Sequence, residues 1–391
     1  MEKIVLVIEM YYENKKENLI KYIIFLMLII IIFLLWIMVM KMDYTNQNIY
    51  GNYNVTKTIN EEFSNEIDEE KIVIDEDVKK EEIENMIEKS TKSIVGISKI
   101  KQNDSAVFVE NSEVKLGLGS GVIISDNGYI LTNAHVIGNR LNDCYVTLEN
   151  GRNYTANVVW TDENIDLAII KILAYGLEEI SMGDSDKICI AEDVYAIGNP
   201  IGYEFQRTVT KGIISGINRT IKIENENENQ YMEDLIQTDA TINVGNSGGA
   251  LINNKGELIG INTVKLSDAD GIGFAVPINI VKPIIDKLLK DKVFEEAYLG
   301  IYGYDKEVIP YLNSDLNIET GIYVAKINID SPLYTSNVLV GDVILAIDNI
   351  EINKMNELKK IIYSKKPGEK VKLKIKRNNN EYEIEVILGK K

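Results

Sequence analysis

Short apolar runs separated by turn residues recur through most of this 391-residue chain. The clearest runs are rich in valine, isoleucine and threonine, and they are Val122 to Ile124, Tyr145 to Leu148, Val194 to Ile197, Gly212 to Ile217 and Leu258 to Thr263. The turns between such runs include Asp126-Asn127-Gly128, Glu149-Asn150-Gly151 and Asn253-Asn254-Lys255-Gly256. Asn-Gly and Asn-x-Gly steps favour the positive φ angles of hairpin loops. The pattern therefore predicts a mainly β fold, either a barrel or a sandwich.

Two stretches depart from this β pattern. After Pro277, apolar residues recur at helical spacing and predict a helix over Ile278 to Leu289. Residues 41–78 are polar and acidic, which predicts a solvated linker, and a short helix is expected from Val78 to Thr91.

Every residue from Tyr22 to Met40 is apolar or aromatic, a length that spans a hydrocarbon core of about 30 Å as a helix. A cleaved signal peptide is the competing interpretation, but the run is long for one and Lys41-Met42-Asp43-Tyr44 offers no small-x-small cleavage site. We therefore predict an uncleaved anchor over residues 22–40. Lysines concentrate before this segment, which favours a cytoplasmic segment 1–21 and an extracytoplasmic remainder.

The candidate chemistry begins with His135, the only histidine of the chain. Asp166 and the glycine-flanked Ser247 follow it in sequence, and these three residue types together predict a nucleophilic triad. Asp162 is an alternative carboxylate. Asp166 is preferred because it directly precedes the strand-like run Leu167 to Ile172, which would hold it rigidly.

The nucleophile candidate lies in the segment Gly245-Asn246-Ser247-Gly248-Gly249. Glycines permit a tight turn, and the backbone N–H groups of Gly245 and Ser247 can then point at a developing oxyanion. Residues Gly245, Asn246 and Ser247 are therefore the predicted oxyanion hole.

Together these segments resemble the HtrA/Deg family of serine proteases over roughly residues 90 to 391. The similarity lies in Gly119-Ser120-Gly121-Val122-Ile123-Ile124, in Gly128-Tyr129-Ile130-Leu131-Thr132-Asn133-Ala134-His135-Val136, in Asp166-Leu167-Ala168, in Gly198-Asn199-Pro200, in Gln237-Thr238-Asp239-Ala240, in Gly245 to Leu251 and in Gly260-Ile261-Asn262-Thr263. The resemblance implies a chymotrypsin-like double β-barrel, with His135 and Asp166 on the first barrel and Ser247 on the second. It also implies ATP-independent cleavage of misfolded or signalling proteins.

The same resemblance implies where specificity and control reside. Thr241 would lie at the base of the primary specificity pocket, with Ile242 and the segment from Thr263 on its walls. Because Thr241 is not an aspartate, cleavage after small or medium aliphatic residues is expected rather than trypsin-like cleavage. Three loops would order on substrate or peptide binding, namely Arg219 to Leu235, Ile242 to Gly245 and Lys265 to Ile272.

Residues from about 295 onwards resemble a PDZ domain, through Tyr298-Leu299-Gly300-Ile301, Asp330-Ser331-Pro332 and Gly341 to Asp348. Such domains bind an extended peptide as an added strand. The expected peptide-binding residues are Tyr298, Leu299, Gly300 and Ile301, although Leu299 and Ile301 are equally compatible with ordinary core positions. The domains are thus predicted as 79–290 for the protease and 291–391 for the PDZ domain.

Composition excludes several classes of protein. The formal net charge of -18 argues against a nucleic-acid partner, which requires a positive surface. One histidine and two scattered cysteines, Cys144 and Cys189, form no usual zinc spacing, so no metal and no cofactor are expected. Both cysteines lie in apolar, strand-like surroundings and are predicted as small core residues, with at most one bridge between them.

The resemblance finally implies partners and an assembly. Unfolded or C-terminally exposed polypeptides would be the substrates, and the protein would form a homotrimer tethered to a bacterial cell membrane through its N-terminal helix. A protease-fold chaperone, or a PDZ scaffold that binds clients without cleaving them, is the alternative.

Overall fold

The computed structural model describes residues 69–100, 116–138, 144–199, 208–224, 229–243, 245–265, 271–291, 294–312 and 316–391. The chain divides into two compact units, Met1–Lys79 and Lys80–Lys391, and every strand found among the described residues lies in the second. The predicted cytoplasmic segment 1–21, the anchor 22–40 and the linker up to residue 68 lie outside the described residues. The α-helices of the described part are α1 (Glu69–Lys92), α2 (Ala134–Ile137), α3 (Lys282–Asp291) and α4 (Met355–Ser364).

Six strands form a closed barrel at the start of the second unit. They are β1 (Ile94–Ile100), β2 (Leu116–Ile123), β3 (Tyr129–Thr132), β4 (Cys144–Thr147), β5 (Asn153–Asp162) and β6 (Leu167–Ile172). Their order around the barrel is β1-β2-β3-β6-β5-β4. At the hairpin turns, Gly128 and Gly151 take positive φ angles of 98° and 78°, as the Asn-Gly steps predicted.

Strand β6 is buried on both of its faces over Leu167 to Ile170, which explains why these four residues are all apolar. Leu167 and Ile169 belong to the large hydrophobic cluster shared with the second sheet. Ala168 and Ile170 belong to the smaller cluster with the other strands of the barrel. Because successive side chains of a strand point to opposite faces, this one strand joins both clusters and gives a rigid base to Asp166, which precedes it.

Seven further strands form the second sheet. They are β7 (Ser181–Met182), β8 (Asp193–Gly198), β9 (Thr208–Glu224), β10 (Asn229–Thr238), β11 (Ala250–Asn253), β12 (Glu257–Lys265) and β13 (Gly273–Pro277). Their order is β11-β8-β9-β10-β13-β12-β7, and an additional pairing of β11 with β12 closes six of them into a ring. The prediction of a mainly β fold with two barrels is therefore confirmed.

Eight strands follow α3 in the sequence. They are β14 (Ala297–Tyr298), β15 (Ile301–Tyr304), β16 (Ile322–Ile327), β17 (Val343–Ile347), β18 (Ile350–Glu351), β19 (Lys370–Arg377), β20 (Asn380–Ile387) and β21 (Gly389–Lys390). The main sheet has the order β15-β16-β17-β19-β20, with β18 paired to β17, and β14 pairs separately with β21. This C-terminal sheet packs with α4 around its own hydrophobic cluster.

Both predicted helices differ from the structure at their boundaries. The helix expected from Val78 begins at Glu69. The acidic run that was predicted as a linker consists largely of good helix formers, and the negative charges of Glu69 and Glu70 are favourable in the first turn of a helix. The helix expected over Ile278 to Leu289 is a 3-10 turn, Ile278–Ile280, followed by α3. Pro283 lacks a backbone N–H, so it is accommodated in the first turn of α3 rather than in a helix interior.

The two cysteines differ in their environments. Cys144 is 1% exposed at the start of β4, as expected of a small core residue. Cys189 lies between β7 and β8, where it is exposed and free, so the prediction of a core strand position was wrong for this residue and no bridge joins the pair. The apolar neighbour that suggested a strand, Ile190, is itself 61% exposed.

A polar cluster at the end of β5 joins the first barrel to the C-terminal sheet. The buried hydroxyl of Tyr363, on α4, donates to Asp162 Oδ2, and the Tyr363 ring lies edge-on to Trp160 at 5.8 Å. Burial opposes ionisation of Asp162, but Lys359 and the Tyr363 hydroxyl outweigh it and hold the pKa of Asp162 at about 2. Asp162 therefore stays ionised inside this contact.

Replacing Tyr363 with phenylalanine is expected to destabilise the protein by about 1–3 kcal/mol, because a buried carboxylate loses a hydrogen-bond donor. Urea unfolding at pH 7 measures this loss. The control is Tyr334→Phe, since the Tyr334 side chain is 59% exposed. Equal unfolding free energies for the two variants would contradict the assigned contact.

A second polar contact places two carboxyl groups side by side. Glu233, on β10, has its Oε2 shielded from solvent, and the fully buried Asp305 follows β15 and accepts backbone N–H bonds from Glu307 and Val308. Burial of the carboxyl and the charge of Asp305 raise the pKa of Glu233 to about 9. A pKa of about 9 keeps the carboxyl group of Glu233 mainly protonated at neutral pH.

This pair makes the stability of the protein pH-dependent in a defined direction. Because the pKa of Glu233 is higher in the folded state than its ordinary value of 4.5, its stabilising contribution is complete below pH 4.5 and is lost as the pH rises towards about 9. We expect Glu233→Gln to raise the melting temperature relative to wild type by an increment that grows between pH 5 and pH 8. The exposed Glu178→Gln is the control. If the melting temperatures of wild type and Glu233→Gln differ by the same amount at every pH in this range, Glu233 does not titrate as described.

Candidate active site

The imidazole of His135 lies directly beside the carboxylate of Asp166. His135 is on α2, just after β3, and Asp166 is in the turn between β5 and β6. The Nδ1 atom of His135 is 2.8 Å from Asp166 Oδ2 and 3.0 Å from Oδ1, and the backbone N–H of His135 donates to Oδ1 at 3.0 Å. The His135 side chain is 52% exposed and that of Asp166 is 14% exposed. With a proton held on Nδ1 by the carboxylate, the imidazole can act as a base through Nε2.

The backbone of Asp166 is held in an uncommon conformation. Its φ angle is 54°, in the left-handed region, and the Nδ2 group of Asn133 donates to its carbonyl oxygen at 2.8 Å. Strained backbone of this kind concentrates at functional sites, where surrounding contacts fix it. The structure thus places Asp166 at His135, whereas Asp162 is engaged with Tyr363.

Thr263, at the end of β12, joins the carboxylate to the serine. Its hydroxyl donates to Asp166 Oδ2 at 2.6 Å, and its carbonyl accepts the hydroxyl of Ser247 at 3.0 Å. The sequence suggested Thr263 only as a pocket wall, and its hydrogen bond to Asp166 was missed. The signal available was a hydroxyl residue in the Gly260-Ile261-Asn262-Thr263 motif, but no pattern within the sequence connects it to a residue 97 positions away.

The nucleophile turn is compact and partly exposed at Ser247. The backbone N–H of Asn246 donates to Asn243 O at 3.1 Å, and that of Gly249 donates to Asn246 O at 3.0 Å. Gly248 has a φ angle of 81°, and a Cβ atom there would collide with Ser120 O and Thr132 Oγ1. Only glycine therefore fits behind the serine.

Asn246 supports this turn with its side chain. Its Oδ1 accepts the backbone N–H of Asn243 at 2.9 Å, and its Nδ2 donates to Thr241 O at 3.1 Å. Both polar atoms of the amide are thus used inside the turn. Of the predicted oxyanion-hole residues, Gly245 and Ser247 can contribute through their backbone N–H groups, and Asn246 holds the turn that presents them.

The predicted specificity-pocket residues lie in different environments. Thr241 is exposed, and its carbonyl accepts the hydroxyl of Thr210 at 2.9 Å. Ile242 is 2% exposed and packs against Gly273 within the core of the second sheet. Of the three predicted control loops, each includes residues outside the described part of the chain.

The predicted peptide-binding residues adjoin an edge of the C-terminal sheet. Ile301 begins β15, which ends the sheet order and pairs with β16 on one side. Gly300 has a φ angle of 86°, and a Cβ atom there would collide with Ser331. The side chain of Leu299 is 4% exposed in the core, so it contributes packing, and the Tyr298 hydroxyl accepts a hydrogen bond from Asn328.

A small cavity lies between β15 and the second sheet. A cavity of about 80 Å³ is bounded by both parts of the molecule. Its lining includes Ile301, Tyr302 and Met355 from the C-terminal part and Tyr231, Glu233 and Leu235 from β10. Across this contact the Asn356 side chain donates to Glu233 O at 3.1 Å.

No group of three or more histidine, cysteine, aspartate and glutamate side chains is arranged to hold a metal ion within the described ranges.

Comparison with known proteins agrees with these two parts of the fold. Residues 119–261 match the trypsin-like peptidase domain family, and residues 258–388 match the PDZ domain family. The serine protease Do-like HtrA of Bacillus subtilis (strain 168) is 37% identical over 329 residues, covering 79% of this chain and 73% of that protein. This chain belongs to the HtrA/Deg family of serine proteases. It is a serine endoprotease with a trypsin-like domain and one PDZ domain.

Other members of the HtrA/Deg family are similar over a comparable length. The periplasmic pH-dependent serine endoprotease DegQ of Escherichia coli (strain K12) is 37% identical over 278 residues, covering 70% of this chain and 59% of DegQ. Among solved structures, the HtrA-type protease AlgW with a tripeptide superposes with a TM-score of 0.58 at 33% identity, covering 79% of this chain and 97% of AlgW. Within the residues that the structure describes, this HtrA/Deg protease has no helix long and apolar enough to cross a membrane.

Proposed function

We propose that this HtrA/Deg protease is a membrane-anchored, ATP-independent serine endopeptidase that cleaves misfolded or signalling proteins outside the cytoplasmic membrane, with His135, Asp166 and Ser247 as its triad. The observation that carries the proposal is the 2.8 Å contact between His135 Nδ1 and Asp166 Oδ2. Thr263 links that pair to Ser247 through its hydroxyl and its carbonyl.

The chemistry follows from these positions. Rotation of the Ser247 side chain moves its hydroxyl from Thr263 O to His135 Nε2, which accepts the proton as Oγ attacks the scissile carbonyl carbon. Asp166 stabilises the resulting imidazolium, and the N–H groups of Gly245 and Ser247 bind the oxyanion. His135 then gives the proton to the leaving amine. In the second half of the reaction, His135 takes a proton from the water that attacks the acyl-enzyme and returns it to Ser247 Oγ as the product acid leaves.

The pocket formed by Thr241, Ile242 and Thr263 is proposed to select small or medium aliphatic side chains. Because Thr241, at the base of this pocket, is uncharged, a basic substrate residue would have no ionic partner there. A peptide library is therefore expected to show at least tenfold higher kcat/KM for Val or Ala than for Lys or Arg at the cleaved position, a difference of about 1.4 kcal/mol. A strong preference for basic residues would contradict this assignment.

The PDZ domain is proposed to bind the C-terminal ends of polypeptides at Tyr298, Leu299, Gly300 and Ile301. The outer edge of β15 offers backbone groups for an added strand. Since residues of β15 and β10 line the same cavity, we infer that peptide binding at β15 alters the protease loops and thereby raises turnover. These loops are Arg219 to Leu235, Ile242 to Gly245 and Lys265 to Ile272.

The remaining organisation is proposed from the sequence. Residues 1–21 are cytoplasmic, 22–40 form the anchor, 41–78 lead to the protease, 79–290 form the protease domain and 291–391 form the PDZ domain. The boundary between residues 290 and 291 is supported by the strands from Ala297 onwards, which pair only among themselves in the described sheets. The extracytoplasmic location is supported by the similarity to DegQ, which is described as periplasmic. We further propose a homotrimer.

Hydrolysis of unfolded casein by the full-length chain tests the proposed function. Wild type is compared with Ser247→Ala and His135→Ala at matched folding, as judged by circular dichroism. Activity lost in both variants supports the triad. Absence of wild-type hydrolysis, even with hydrophobic C-terminal peptides added, combined with retained casein binding would instead indicate the chaperone or scaffold.

A further inference from the structure

Ser120 is a fully buried residue of β2 that contacts two peptide groups of the nucleophile turn, the one after Gly245 and the one after Ser247. Its hydroxyl donates to Gly245 O at 2.5 Å, and its backbone N–H donates to Ser247 O at 2.8 Å. The same hydroxyl oxygen accepts the backbone N–H of Asn199 at 2.6 Å. One hydroxymethyl group therefore connects the first barrel with two segments of the second.

The hydrogen bond to Gly245 fixes a peptide plane that glycine would otherwise leave free. The carbonyl of Gly245 is held by Ser120, and the N–H of the same peptide group, on Asn246, is held by Asn243 O. Gly245 itself has a φ angle of 106°, a conformation with no Cβ atom to restrain it. The N–H of Gly245 belongs to the preceding peptide group, so its direction relative to the fixed plane is set by the backbone torsions of Gly245. The carbonyl held by Ser120 is therefore the fixed point from which this N–H is oriented.

The space around Ser120 matches its side chain closely. A Cβ atom on Gly198 would collide with Asn246 and would lie 3.1 Å from Ser120 Oγ. A Cβ atom on Gly248 would collide with the carbonyl oxygen of Ser120. That carbonyl also accepts the hydroxyl of Thr132 at 2.6 Å, which holds β2 in place behind the turn.

We propose that Ser120 is a positioning residue that holds the backbone N–H groups of Gly245 and Ser247 in oxyanion-binding geometry. It also sets the distance between the two barrels at the point where His135 of the first must reach Ser247 of the second. This inference rests on the proposed function of the triad. Ser120 thereby contributes to transition-state stabilisation although it does not touch the substrate.

The test compares steady-state kinetics and inhibitor binding in the full-length chain. Ser120→Ala is expected to lower kcat about 10- to 1000-fold, at most the effect of losing one oxyanion donor, while KM changes less than about twofold. The affinity for a peptide aldehyde, whose hemiacetal oxygen occupies the oxyanion position, is expected to fall by the same factor as kcat/KM. The control is Ser125→Ala, a serine that is also buried, at 3% exposure, but lies in the β2–β3 turn. It should keep wild-type kcat.

Ser120→Cys is a second, near-isosteric variant for the case in which the alanine variant does not fold. Its thiol fills the space of the hydroxyl but is a weak hydrogen-bond donor. If Ser120→Ala does not fold, a kcat at least tenfold below wild type in Ser120→Cys, with unchanged KM, supports the inference. Wild-type kcat and aldehyde affinity in whichever variant folds would overturn it. Ser247→Ala is measured in the same assay. Hydrolysis that survives this change would refute the proposed triad. Wild-type rates in the Ser120 variants, together with an inactive Ser247→Ala, would refute only the role of Ser120.

Discussion

Replacing Ser247 with alanine is expected to lower kcat for a protein substrate by about 10⁶-fold, because the oxygen that forms the acyl-enzyme is removed. The change deletes one oxygen from a partly exposed side chain whose hydroxyl bonds to Thr263 O, so the fold should survive. Steady-state hydrolysis of casein measures the loss. Binding of casein is expected to persist, since neither the PDZ edge nor the pocket loses a contact.

The control for this experiment is Ser364→Ala. Ser364 is an exposed serine that ends α4, and its hydroxyl bonds only to Ile361 O of the same helix among the hydrogen bonds described. Its variant should hydrolyse casein at the wild-type rate. Residual activity above about one percent in Ser247→Ala would mean that another nucleophile performs the reaction.

Replacing Asp166 with asparagine is expected to lower kcat by about 10⁴-fold. Asparagine tolerates the left-handed φ angle of 54° found here, so the backbone need not change. Its amide can still accept from the Thr263 hydroxyl through one oxygen, but it no longer stabilises a positively charged imidazole. The loss should therefore appear in kcat measured between pH 6 and pH 9, with unfolding free energy close to wild type.

Asp162→Asn separates the two carboxylates that the sequence left as alternatives. Asp162 is buried beside Lys359 and Tyr363, so its variant should lose stability and retain kcat in the folded fraction. The opposite result, an inactive but stable Asp162→Asn with an active Asp166→Asn, would show that the carboxylate of the triad was assigned wrongly.

Features that depend on local pattern could be predicted from the sequence. The strand-like run Leu167 to Ile172 is strand β6 with the predicted bounds, and its first four residues are apolar because both faces of the strand are buried there. The hairpin glycines Gly128, Gly151 and Gly256 all take positive φ angles. The juxtaposition of His135 and Asp166 was also expected, because the resemblance supplied a tertiary arrangement that no local pattern contains.

Contacts between distant segments could not be predicted in this way. Tyr363 and Asp162 are separated by 201 residues, and Ser120 and Gly245 by 125. Each contact joins residues that no local pattern connects, and composition does not indicate which partner will satisfy a buried polar group. The helical extension back to Glu69 was missed for another reason, since glutamate and lysine favour both solvated linkers and exposed helices.

Covalent labelling by diisopropyl fluorophosphate tests the central claim most directly, because this reagent modifies a serine activated by a neighbouring base. The full-length protein is incubated with the reagent, and the adduct is located by intact-mass and peptide mass spectrometry. The account predicts one adduct, on Ser247, that His135→Ala abolishes. An adduct on a different residue, an adduct that forms equally fast in His135→Ala, or no adduct in wild type would contradict a triad of His135, Asp166 and Ser247.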